Sequence, residues 1–390
     1  MLDVNLLSFI GFIIFVFLLL LYERKKVKRD GIVFMRRTSR GRNTIDNITN
    51  ISPRFWRVLG SIGIIVSMGA MIFGLFIIFS NGYMILTAQS DQGVGIVLPG
   101  PVSTTTNLPG VFVFPWWFWV VGIVVVMVPH EFFHGIMARA SKIRIKSIGW
   151  LFLAIIPGAF VEPDDSQVKK QPRAVKLRIY AAGSFANLIT AMIVVAILVS
   201  MAPVFSSSTH PAGVFFSASE NSSLAGLSGA ITAVDGQPVR NRSALVSAIT
   251  DRPAGTSVMI TYVNSSNVNS YSRFEGLPFL VFESKFVEVT KEAAFFSEEG
   301  RSMLGITVAD QVYETSLNPL AVEFIRLFSI LFVFTLGIGI VNLLPIKPLD
   351  GGLMFEELLP KARWKPYVVR TVSIIVLMVL IFNIVGPFVV

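Results

Sequence analysis

At 390 residues, with 53% hydrophobic side chains, 15% charged ones and a mean hydropathy of +0.69, the chain carries more apolar surface than a soluble domain of its size can bury. Most of that surface must face lipid. The lack of cysteine excludes disulfides, thiolate metal sites and a nucleophilic-cysteine mechanism, and the net charge of +9 falls in clusters beside apolar runs, which reads as membrane topology rather than nucleic-acid binding.

The first apolar run, Val4–Tyr22, has Asp3 before it and Arg24, Lys25, Lys26, Lys28 and Arg29 after it. A cleavable signal peptide has the opposite charge order, so this run predicts a retained anchor with its N-terminus outside. Arg36, Arg37, Arg40, Arg42, Arg54 and Arg57 mark the next loop as cytoplasmic. A second span is predicted over 58–80, followed by an outer segment, 81–110, rich in Gly, Pro, Ser and Thr. Residues 1–110 thus form an N-terminal membrane region.

The third span is predicted over 111–140, with Trp116, Trp117 and Trp119 near its outer end, where indoles favour the interface. Late in it stands His130-Glu131-Phe132-Phe133-His134, which holds two of the chain's three histidines. Four residues apart, the imidazoles lie about 40° apart around a helix and can reach one cation. Glu131 stays beside that cation rather than on it, as metal-assisted hydrolysis requires. H-E-x-x-H also occurs by chance, and a histidine pair can be plain hydrogen-bonded structure. At lipid depth, however, an unpartnered Glu costs roughly 3 kcal/mol or more, which favours metal binding. Arg139, Lys142, Arg144 and Lys146 follow and place the pair in the cytoplasmic half of the bilayer.

Residues 147–164 are apolar but broken by Gly149, Pro157 and Gly158, which predicts a re-entrant segment or hairpin buried against protein or a wet cavity. The fourth span is predicted over 179–201, opening on small residues, Ala181 to Ser184, that let another helix approach; it completes a first core segment, 111–204. Residues 205–317 change character. Strand-like runs at 231–234, 258–261 and 279–282, with turn signals Asp235-Gly236 and Pro253-Ala254-Gly255, predict a small β-rich domain. Seven Lys/Arg against eleven Asp/Glu over 202–317 put it outside. The second core segment, 318–390, holds a span over 319–344 and a last span over 367–390. Between them lies Asn342-Leu343-Leu344-Pro345-Ile346-Lys347-Pro348-Leu349-Asp350-Gly351-Gly352. The expected fold is therefore an α-helical polytopic membrane protein with about six spans, a re-entrant hairpin and an extramembrane β-rich domain.

Two histidines are too few for a stable zinc site, and a catalytic site usually takes a third protein ligand and leaves one position open. The third and fifth spans both run inward, so Asp350 can return to the depth of His130 and His134. It is the best-placed third ligand, ahead of Glu162 and Asp164, which sit beside cytoplasmic charge; His210 falls in the outer domain. A membrane metal-ion transporter could use the same ligands, but it would not need Glu131 beside them. A non-catalytic membrane scaffold would have no use for the full set.

Together, H-E-x-x-H at 130–134 and the 342–351 run resemble the site-2 protease family of intramembrane zinc metalloproteases. Pro157 to Asp164 and Gly183-Ser184-Phe185-Ala186-Asn187 are also similar to family patterns. Leu224-Ala225-Gly226-Leu227 followed by Ile231 to Val239 resembles a PDZ domain, whereas 264–315 departs from that pattern. The resemblance implies one zinc ion on His130, His134 and Asp350, Glu131 as general base, and Asn342 as a positioning or oxyanion-stabilising residue. Gly183 and Asn187 read as packing and ligand-supporting residues. The implied partners are the lipid bilayer and transmembrane protein substrates, with a peptide C-terminus on the PDZ-like domain and no nucleic acid.

Overall fold

The computed structural model of the protein describes residues 4–38, 41–87, 95–100, 111–250, 252–264, 268–274, 277–282, 288–298, 301–315 and 319–388. In chain order its helices are α1 (Val4–Tyr22), α2 (Arg42–Ile51), α3 (Pro53–Leu86), α4 (Trp116–Ala140) and α5 (Asp165–Lys169), then α6 (Arg173–Ser208), α7 (Arg242–Ile249), α8 (Pro319–Leu343), α9 (Asp350–Leu358) and α10 (Lys365–Val385). Five of them, α3, α4, α6, α8 and α10, are long and apolar enough to cross a membrane. The sixth expected span falls on α1, whose apolar stretch Leu6–Tyr22 is shorter. The chain divides into two compact units, Met1–Ala196 with Ile330–Val390, and Ile197–Ser329.

The first unit packs its helices through small residues. Ser52 caps α3 by accepting from the Phe55 N–H (3.3 Å), and Pro53 at the first helical position spends no amide there. A Cβ on Gly63 would lie 2.8 Å from the Phe185 ring of α6, and one on Gly74 would lie 2.7 Å from Ile340 of α8, so glycine sets how closely α3 approaches both. The amphipathic α2 lays Ile45 into a cluster with Ile136, Met137, Ile143 and Ile145, and its Asp46 accepts from Arg139 at the end of α4. The third span departs from its expected start. Residues Val111–Pro115 form a strand, parallel to Ile96–Gly100, and the helix begins only at Trp116, directly after Pro115. The last span, Lys365–Phe388, closes in a turn of 3-10 helix at Gly386–Phe388.

The re-entrant segment is an antiparallel hairpin, Ile145–Leu153 with Ile156–Pro163, turned at Ala154 (φ 54°). It belongs to a four-stranded sheet, because Val33–Thr38 pairs with Ile145–Leu153 and Val27–Asp30 pairs with Val33–Thr38. The basic N-terminal loop is therefore sheet as well as topology signal. Ile156–Pro163 is left as an edge strand, lying along α4.

The second unit is built on an eight-stranded, almost wholly antiparallel sheet. The two-residue turn Asp235-Gly236 joins Ser228–Val234 to Gln237–Pro238 with both φ positive (50° and 76°), as a hairpin following the strand twist requires. In Ser257–Asn264, Val258, Ile260 and Tyr262 point inward at the period of two expected of a half-buried strand. They close a core with Val214, Phe216, Leu224, Ile231 and Leu245.

Candidate active site

His130 and His134 occupy successive turns of α4, just after Pro129, which has no N–H to give to the preceding turn. Their Nε2 atoms are 3.2 Å apart. Each lies 3.4 Å from Oδ2 of Asp350, and all three side chains are mostly buried. His130, His134 and Asp350 form the metal-competent group among the described residues, their ligand atoms within 4.8 Å of one another.

Asp350 arrives from the far end of the chain by a tight device. After α8 ends at Leu343, successive turn hydrogen bonds (Leu344 N–H to Val341 O, Ile346 N–H to Leu344 O, Leu349 N–H to Ile346 O) fold the loop back. Ser373 of α10 pins that loop, accepting from the Lys347 N–H (3.2 Å) and donating to Pro345 O (3.1 Å). A Cβ on Gly351 would collide with the Leu343 backbone, and one on Gly352 would lie 2.5 Å from the Ile346 carbonyl, so only glycines let α9 start this close. Asp350 thereby opens α9, where the helix dipole favours a carboxylate.

Glu131 points to the edge strand rather than into the ligand group. Its Oε2 accepts the Val161 N–H at 2.8 Å, which fixes the carboxylate beside the histidines. The two weaker ligand candidates have other work. Glu162 accepts from Ser147 (2.6 Å) and pairs with Arg37, and Asp164 caps α5 by accepting from the Ser166 amide and hydroxyl. Asn342 stands in the last turn of α8, half-buried, its side chain making no hydrogen bond to a described residue. His210 lies on the first strand of the second unit, Thr209–Ala218.

Helix α6 backs the group. A Cβ on Gly183 would lie 2.5 Å from Nε2 of His130 and closer still to Nε2 of His134, so glycine keeps open the face on which the ring nitrogens converge. His134 Nδ1 donates to the Ile179 carbonyl (2.7 Å), Ser184 Oγ donates to Asp350 Oδ2 (3.2 Å), and Asn187 lies 3.2 Å from His130 Nδ1. Ser184 and Val161 fall in the two runs, Gly183 to Asn187 and Pro157 to Asp164, singled out in the sequence, but the contacts of Ile179 O and Val161 N–H are main-chain ones that no side chain marks.

Two imidazoles, one carboxylate, an open glycine face and supporting hydrogen bonds make a donor set suited to zinc. An uncharacterized protein of Methanocaldococcus jannaschii is 29% identical over 186 residues, 46% of this chain and 47% of that protein. The chain thus spans about half the length of this curated relative. Residues 118–386, which hold the whole constellation from His130 to Asp350, match the model of peptidase family M50, and the chain belongs to that family of membrane-embedded metallopeptidases, the site-2 proteases.

Proposed function

We propose that the protein is an intramembrane zinc endopeptidase that cuts transmembrane segments of other membrane proteins. The observation that carries this reading is the convergence of His130, His134 and Asp350 with a carboxylate, Glu131, held next to them by Val161 N–H. Zinc on those three ligands would supply a Lewis acid that makes water nucleophilic at neutral pH. Glu131 takes the proton of the attacking water and delivers it to the leaving amine. Asn342 offers amide hydrogens to the substrate or to the developing oxyanion.

A peptide bond inside a helix is shielded, so the substrate must unwind, and the edge strand Ile156–Pro163 is a template for it. Val161 N–H faces Glu131 and therefore away from the neighbouring strand. Ala159, two residues earlier, shares that direction, while Pro157 has no N–H to offer. Ala159 is thus the amide that pairs an incoming strand and sets it in register with Glu131. The clustered positive charges support a position of this sheet and the metal ligands near the cytoplasmic leaflet, with the N-terminus outside. The second unit lies outside as a PDZ-like domain that captures a new C-terminus or admits only substrates already trimmed.

The deciding experiment reconstitutes the protein with a model single-span substrate and compares Glu131→Gln with the parent. We expect zinc content to be kept and cleavage to fall at least about a hundredfold, as loss of a general base implies. Undiminished cleavage would remove Glu131 from the mechanism, and zinc movement across the vesicle without cleavage would make the protein a transporter.

A further inference from the structure

Every ligand of the metal group has one hydrogen-bonding partner on the same helix. Ile179, Gly183 and Asn187 are spaced four residues apart on α6 and so share one face, with Ser184 beside Gly183. Ile179 O holds His134, Ser184 Oγ holds Asp350, Asn187 meets His130, and Gly183 clears the space between. A neutral imidazole has a single N–H, and a nitrogen that gives its lone pair to a metal leaves that hydrogen on the other nitrogen. The two Nε2 atoms converge, so both rings must carry hydrogen on Nδ1. For His134 the main chain of α6 already enforces this, since a carbonyl 2.7 Å from Nδ1 can only accept.

For His130 the partner is a side chain with a choice. Asn187 is fully buried, its Nδ2 is 3.2 Å from His130 Nδ1, and its Oδ1 has no hydrogen-bond partner among the described residues. The two ends of an amide exchange by a half-turn of χ2. With Nδ2 toward His130 the amide oxygen is left unpaired, whereas with Oδ1 toward His130 it has the Nδ1 hydrogen to accept, so the proton on His130 decides which way the amide faces.

We infer that Asn187 is the positioning residue for His130: its Oδ1 accepts Nδ1–H and so turns the Nε2 lone pair to the metal. This rests on the metallopeptidase reading. A packing role is the rival, because a Cβ on Gly339 of α8 would lie 3.2 Å from the Asn187 Cβ.

Two replacements of similar size separate the roles. Asn187→Asp keeps an acceptor on Nδ1–H, and Asn187→Leu keeps the bulk and removes the acceptor. The full-length protein in detergent is titrated with zinc against a chelator, and its cobalt-loaded form is followed by the visible d–d bands. Aiming predicts that Asn187→Leu weakens zinc binding about 10–100-fold and shifts the cobalt bands, while Asn187→Asp stays within a few-fold of the parent. Packing predicts the reverse order, because a buried carboxylate disturbs an apolar seam more than leucine does. The inference is overturned if Asn187→Leu binds within about twofold of the parent, or if Asn187→Asp is as weak as Asn187→Leu. Should Asn187→Leu not accumulate as folded protein, Asn187→Ala takes its place in the same comparison. A parent that binds no divalent metal would overturn the metallopeptidase reading itself, a result distinct from parent and variants binding alike.

Discussion

The membrane frame and the β unit are built on opposite plans. In the frame, large apolar side chains face outward, Ile65 at 73% and Phe76 at 67% exposure, while Ser67, Ser184, Asn187, Thr335 and Asn383 are wholly buried. In the β unit the wholly buried side chains are apolar, Phe216, Leu224, Ile231, Leu245 and Ile260 among them. The difference follows from the solvent. Water drives carbon inward, whereas lipid solvates carbon as well as a protein interior does, so helix association in a bilayer rests on close packing and polar contacts. Polar groups set among the frame's buried carbon are also what a metal site requires. Some of the polar groups on the packed face of α6 also meet His130, His134 and Asp350.

The largest test of this division lies in the β unit. Phe216 is fully buried and meets Tyr262 edge-on at 5.6 Å, so Phe216→Ala should cost about 3–5 kcal/mol and unfold that unit. All three ligands and the supporting stretch of α6 belong to the other unit, so zinc content should not change. Limited proteolysis combined with metal analysis reads both. Loss of zinc together with the β fold would mean that the two plans are not separable.

A smaller effect is expected from the frame's own polar contacts. Asn383 of α10 accepts from Asn81 of α3 (2.8 Å) and donates to Ile78 O and Val379 O (2.8 Å each). Asn383→Leu should cost about 1 kcal/mol, because hydrogen bonds inside a bilayer compete with partners available in the unfolded state. Unfolding in mixed micelles measures it. A cost equal to that of Phe216→Ala would show that polar contacts carry as much of the frame as apolar burial carries of the β unit.

The division also explains what could be read in advance. Apolar runs, their flanking charges, H-E-x-x-H and Asp350 are local or chemically distinctive, and the hairpin was announced by Gly149, Pro157 and Gly158. The strands Val27–Asp30 and Val33–Thr38 were hidden because their arginines and lysines already had a topological explanation and their partner, Ile145–Leu153, lies far along the chain. Helix α9 was hidden behind Pro348, Gly351 and Gly352, which read as breakers. The edge strand's grip on Glu131 and the Ile179 carbonyl on His134 are main-chain groups, which any residue type could supply. Asn187 was visible as a supporting residue, but its ring nitrogen partner emerges only when α4 and α6 are packed.

The smallest effect should come from charge on the β unit. Asp235 accepts the Met259 N–H and pairs with Arg252 at 2.9 Å, and these contacts, the backbone hydrogen bond first, hold its carboxyl below the usual range. A depressed carboxyl stabilises the fold above its unfolded pKa of about 3.9, and that stability is lost as pH falls through the lower folded value. Asp235→Asn keeps an acceptor for Met259 and removes the charge. Because the pair is more than a third exposed, the loss at pH 7 should be only about a few tenths of a kcal/mol, screened further by salt. Melting of the full-length protein, followed by the β signal in circular dichroism, should show the variant slightly below the parent at pH 7 and level with it near the foot of the acid transition. A gap that persists there would assign the effect to geometry at Met259 rather than to charge, and would extend hydrogen-bonded positioning from the membrane frame to the β unit.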